Sequence, residues 1–81
     1  MRIRVRAFAA LREALGKDEI DVEIEPGTTI EKALETILSD PEMRARFGRS
    51  LLFAVNRTYA RGDRVLDEGD ELALLPPVSG G

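Results

Sequence analysis

Cysteine, histidine and tryptophan are all missing from the 81 residues. Without cysteine there is no disulfide, no thiolate metal ligand and no thiol nucleophile. Without histidine there is no imidazole ligand and no base for a Ser–His pair. Aromatic residues make up only 5% of the chain, too few to build stacking platforms for single-stranded nucleic acid. A net charge of −3 points the same way, because nucleic-acid binders carry a basic surplus. No apolar run reaches the length of a membrane span. The start, MRIRVRAF, alternates charged with apolar residues, unlike a secretory signal. A chain this short forms one small domain that buries roughly 60% of its unfolded surface, so a deep cleft is not expected. These absences predict a soluble cytoplasmic carrier or binding module. It would have no nucleic-acid or membrane partner and no bound cofactor or metal.

What is present is pattern. Residues 18–42 hold nine acids against Lys32, and residues 43–62 hold five arginines and no acid. Such blocks usually read as solvated faces of elements that meet opposite blocks. Arg2-Ile3-Arg4-Val5-Arg6-Ala7 alternates strictly, as does Glu19-Ile20-Asp21-Val22-Glu23-Ile24-Glu25. Both read as strands with one buried face. Paired antiparallel, they would set arginines against carboxylates on the open face. Between them Leu11, Ala14 and Leu15 have helical spacing, and Gly16 is a helix stop.

After the Pro26-Gly27 turn, Thr28 and Glu31 have the spacing of a capping box. Ile30, Ala33, Leu34, Ile37 and Leu38 then make the apolar stripe of a helix of about three turns. Asp40-Pro41 opens a second, shorter helix ending near Gly48. Leu51 to Asn56 reads as an interior strand and Thr58 to Ala60 as a short edge strand. Asp67-Glu68-Gly69-Asp70 is a turn before a last strand, Glu71 to Leu75. Strands at both ends of a main helix predict an α+β domain over residues 1–75, with that helix across one face of a mixed sheet of four to five strands.

Strand phase bears on function. If Ile3, Val5 and Ala7 face the helix, Phe8 lies on the open face. Leu52 and Leu75 fall on that face when Leu51, Phe53, Leu72 and Leu74 point inward. Phe8, Leu52 and Leu75 would then form an exposed apolar patch, the usual mark of a partner site. Bends at the strand ends would instead bury one or more of them.

Residues 72–81 carry no charged side chain, and the last six are Pro76-Pro77-Val78-Ser79-Gly80-Gly81. At a frequency of roughly 7% for Gly, a terminal pair arises by chance about 0.5% of the time. Pro76 and Pro77 cannot continue a strand ladder and direct the chain away from the domain. Six extended residues reach about 20 Å. A tail that ends in two residues without Cβ fits a narrow tunnel and lets a nucleotide approach closely. Its reactive group would be the α-carboxylate of Gly81, which needs activation. No Gly-rich phosphate loop is present, so the ATP would have to be bound by a partner enzyme.

The element order, the Leu66-to-Leu72 segment LDEGDEL, Phe8 with Leu11-Arg12-Glu13 and Gly16, Ala54-Val55-Asn56 and the PPVSGG end together resemble the small subunit of molybdopterin synthase. The resemblance covers the whole chain, and the tail is its most specific part. Where that family often has bulkier aromatics, this chain has Leu74 and Leu75. The resemblance implies a ubiquitin-like β-grasp fold and a carrier that is not an enzyme alone. A ubiquitin-activating-type adenylyltransferase would adenylate Gly81 with ATP, and sulfur would displace AMP to leave a thiocarboxylate. The tail, residues 76–81, would then enter a large catalytic subunit, in a heterotetramer, and donate sulfur to a cyclic pterin precursor to form the dithiolene of molybdopterin. In this account Gly81 carries sulfur, Gly80 gives clearance, Pro76, Pro77, Val78 and Ser79 guide the tail, and Phe8, Leu52 and Leu75 dock. Sulfur carriers for thiazole, cysteine or tRNA thiolation share the fold and the Gly-Gly end, as do ubiquitin-like modifiers.

Overall fold

The computed structural model describes residues 1–48 and 50–77. Eight elements follow one another: β1 (Arg2–Ala7), α1 (Ala9–Leu15), β2 (Glu19–Glu23), α2 (Ile30–Ile37), α3 (Pro41–Phe47), β3 (Leu52–Val55), β4 (Thr58–Ala60) and β5 (Glu71–Leu75). The strands form one sheet in the order β2-β1-β5-β3-β4. The central pair, β1 and β5, is parallel, and every other pairing is antiparallel. This is a mixed sheet of five strands, the upper end of the expected four to five, and it has the ubiquitin-like β-grasp arrangement.

The alternation of β1 and β2 decides the sheet's two faces. Arg2, Arg4 and Arg6 stand opposite Glu23, Asp21 and Glu19 on one face. Ile3, Val5 and Ala7 are buried on the other. There they join Leu72 and Leu74 of β5 and the α2 stripe Ile30, Ala33, Leu34 and Ile37 in a single core. Leu11 of α1, Phe47 of α3 and Leu66 belong to it too, as do Val22, Leu38, Leu51 and Val55. Removal of this apolar surface from water is the main force holding the layers together. Ala14, expected on the inner side of α1, is exposed, so that short helix buries a narrower stripe.

The start of α2 differs by one residue from the capping box expected at Thr28 and Glu31. Thr29 is the N-cap, and its hydroxyl accepts from the backbone N–H of Lys32 at 3.2 Å. Thr28 instead donates its hydroxyl to the Glu25 carbonyl and closes the preceding turn. The helix spans eight residues, about two turns, because Leu38 leaves helical geometry at φ −107° and ψ 64°. Asp40 caps α3 as expected, accepting from the Glu42 N–H at 2.9 Å with Pro41 next in line.

Left-handed backbone closes two of the connections between elements. Gly16 ends α1 at φ +77°, its N–H bonded to the Arg12 carbonyl. Asn56 and Arg57 link β3 to β4 with φ values of +51° and +71°, the pair of signs that a two-residue type I′ hairpin requires.

Candidate functional site

The face of the sheet turned away from α2 has two unlike halves. Over β1 and β2 it is charged. Arg2 pairs with Glu23 at 3.1 Å, and Arg4 pairs with Glu19 at 3.0 Å and more loosely with Asp21 at 3.9 Å. Over β5, β3 and β4 it is apolar, and register shows how the residues line up. Leu52 stands directly opposite Leu75, and Ala54 stands between Ala73 and Tyr59. Phe8 follows Ala7, which is level with Leu74, so it lies one step further on, beside Leu75. The result is an upper row of Phe8, Leu75 and Leu52 above a lower row of Ala73, Ala54 and Tyr59.

Phe8 is 36% exposed, Leu52 57% and Tyr59 76%. Leu75, on an interior strand, is half-buried. The three residues singled out from strand phase therefore come together on the open face, with Leu75 partly covered. Ala73, outward by the same strand phase as Leu75, extends the patch as expected. Tyr59 and the buried Ala54 beneath it extend it further and do not follow from strand phase alone. Their signal lay in the hairpin: a two-residue turn at Asn56-Arg57 sets Val55 against Thr58, and hence Ala54 against Tyr59. Parity then puts Tyr59 on the same face as Leu52.

Phe8 is held in place by its backbone. Its carbonyl accepts from the N–H groups of Leu11 and Arg12, at 3.2 and 3.3 Å, which closes the first turn of α1 without a side-chain cap. Ala9 makes the reversal at φ +51°, a conformation that costs a residue with a Cβ about 1–2 kcal/mol. The Arg6 guanidinium carbon lies 5.5 Å from the Phe8 ring centroid.

At the other end of β5, Asp70 is the only buried charged residue among those described, 7% exposed. Its carboxylate accepts from the Asn56 side-chain amide at 3.0 Å, the Asp67 N–H at 2.8 Å and the Arg64 guanidinium at 3.4 Å. Asn56 in turn accepts from the Glu71 N–H through its side-chain oxygen. Burial alone would raise the Asp70 pKa, but the Asp67 N–H, the Asn56 amide and the Arg64 charge together hold it below the ordinary carboxylate value. The network ties the hairpin turn to the start of β5. It was read from sequence only as a turn cluster; the pairing of Asn56 with Asp70 needs the tertiary register to be apparent.

β5 delivers the chain at Leu75 to Pro76, which is half-buried, and Pro77, which is exposed. The tail thus leaves from the apolar half of the open face, next to Phe8 and Leu52. The expectations for Val78, Ser79, Gly80 and Gly81 fall outside the described residues. No helix among the described residues is long and apolar enough to cross a membrane.

Residues 5–81 match the ThiS family. The molybdopterin synthase sulfur carrier subunit of Chlamydomonas reinhardtii is 35% identical across the full length of both chains. That of Escherichia coli (strain K12) is 38% identical, over 98% of this chain and 99% of the relative. The crystal structure of SAMP1, the small archaeal modifier protein 1 of Haloferax volcanii, superposes with a TM-score of 0.85 at 29% identity over all of both chains. With a β-grasp sheet, an apolar face beside the exit of β5 and full-length likeness of this degree, the chain belongs to the ThiS family and, within it, to the molybdopterin synthase sulfur carrier subunits.

Proposed function

We propose that this protein carries sulfur as a thiocarboxylate on Gly81 and delivers it, inside a large catalytic subunit, to a cyclic pterin precursor that becomes molybdopterin. The observation that carries the reading is the full-length likeness to chains named as sulfur carrier subunits of that synthase. The geometry is suited to it. A carrier needs a rigid handle, a surface for its partner and a free end that reaches further than the handle. Here the apolar face and the start of the tail share one end of β5, so a partner gripping Phe8, Leu75 and Leu52 would have the tail directed into it.

Each chemical step draws on a partner. The Gly81 carboxylate attacks the α-phosphorus of ATP held by an adenylyltransferase, pyrophosphate leaves, and the product is an acyl adenylate. A sulfur nucleophile then displaces AMP. The carrier contributes the carboxylate and two terminal residues without side chains to obstruct either active site. It holds no cofactor of its own and works in the cytoplasm, where ATP and the synthase subunit are at hand.

A second reading has its own support in the likeness to SAMP1, whose name is that of a modifier. There the activated Gly81 would pass to a lysine amine and form an isopeptide bond. Intact mass spectrometry of protein purified from its host distinguishes the two. The carrier reading expects a species heavier by the exchange of one oxygen for sulfur, lost when Gly81 is deleted. If activated protein appears only in conjugates through lysine, the modifier reading replaces it.

A further inference from the structure

The arginine ladder of β1 breaks at its last rung. Arg2 and Arg4 each close on a β2 carboxylate. Register sets Arg6 directly opposite Glu19, yet Glu19 closes on Arg4, one rung back. Arg6 makes no ion pair among the described residues. It leans toward Phe8 instead, 5.5 Å from the ring centroid, and is half-buried. Its neighbour across β5 is Ala73, the first residue of the lower apolar row. A cation is therefore held at the border where the charged half of the face meets the apolar half, at the end from which the tail departs.

Covering the apolar rows would also take Arg6 out of water. A cation desolvated at an interface without a counter-charge is costly, while one that meets a carboxylate there gains affinity and fixes orientation. The guanidinium keeps its forked N–H donors, whose spacing suits a carboxylate. We propose that Arg6 is a specificity-determining residue of the docking face: it receives a carboxylate that the large synthase subunit sets beside the apolar side chains covering Phe8, Leu75 and Leu52. This inference rests on the sulfur-carrier reading. Phe8 then has two tasks, filling the partner's apolar surface and holding the cation in register with its acid.

The test is the affinity of the purified large subunit for the full chain, measured by calorimetry at low and high salt. Arg6→Ala is expected to weaken binding about tenfold, and Arg6→Glu further at low salt. Arg6→Lys should recover part of the loss. In Arg6→Ala the dependence of affinity on salt should flatten, which mere loss of packing would not produce. Thermal melting should barely move, since Arg6 has no ion pair to lose among the described residues. Arg6→Gln keeps the stem without the charge, and serves if Arg6→Glu melts early through repulsion from Glu19. Wild-type binding with unchanged affinity in Arg6→Ala, Arg6→Gln and Arg6→Glu would overturn the inference alone. Failure of the wild-type chain to bind the large subunit at all would overturn the sulfur-carrier reading beneath it.

Discussion

The charged and apolar halves of the open face are built on the same sheet, a few ångströms apart, and solve the same problem differently. Both must present one side of a strand pair to water. β1 and β2 do so with paired charges, which are at home in solvent and make a poor template for another protein. β5, β3 and β4 do so with Leu75, Leu52, Tyr59 and Ala73, which gain nothing from solvent and are stabilised by being covered. The difference teaches where to look for the partner. Stability of the domain comes from the opposite face, so the apolar residues here are free to serve association, and the ion pairs are free to serve solubility and strand pairing.

The largest test of that division is truncation of the patch. Phe8→Ala and Leu75→Ala are each expected to weaken binding of the large subunit by about 2 kcal/mol, roughly thirtyfold, as central apolar anchors of an interface do. Chemical denaturation should show Phe8→Ala nearly as stable as wild type, with Leu75→Ala losing more because it is half-buried. If Phe8→Ala unfolds the domain instead, Phe8 belongs to the core and the two halves are not separate in function.

Next in size is the anchor beneath the apolar half. Asp70 is held as a carboxylate, with its folded pKa below the ordinary value of about 3.9. A lowered folded pKa means that the unfolded chain takes up the proton first as pH falls. The stabilisation is therefore complete above about pH 4 and is lost as pH drops through the lower, folded value. Asp70→Asn should cost about 1–3 kcal/mol at neutral pH, because Arg64 and the Asp67 N–H lose a charged acceptor. Urea unfolding at pH 7 and pH 3 checks it: the gap between wild type and variant should narrow at the lower pH. An unchanged gap would show that the network does not depend on the charge.

How much of this was legible in the chain follows from what each part depends on. The alternation of Arg2 to Ala7 and of Glu19 to Glu23 is a period-2 signal, and it gave both strands, their pairing and the buried face. The stripe Ile30, Ala33, Leu34 and Ile37 marked α2 as clearly, while its cap shifted from Thr28 to Thr29 because two adjacent threonines offer equivalent hydroxyls and the turn after Gly27 decides between them. Leu52 and Leu75 were found by parity, but their direct apposition was not, since the partner of each strand is a tertiary fact. Tyr59 was missed for the same reason. Asp70 and Arg64 lie six residues apart in a loop whose closure depends on Asn56 of a distant hairpin, which no local pattern records.

The smallest expected effect concerns the charged half. Arg4 and Glu19 approach to 3.0 Å, but both side chains are about half exposed, at 56% and 46%. Water and salt screen such a pair, and holding two long side chains together costs entropy, so its net contribution is about 0–1 kcal/mol. Arg4→Gln or Glu19→Gln should therefore lower the unfolding free energy by no more than that, and by less in high salt. Glu19→Gln has a further consequence, because it frees Arg4 without giving Arg6 a carboxylate, and so should leave binding of the large subunit near the wild-type value. Calorimetry on that single variant sharpens the comparison most finely. A pair that is short, well aligned and dispensable for both folding and association is surface chemistry, whereas Arg6, one rung away and without an ion pair among the described residues, is expected to matter only when the face is covered.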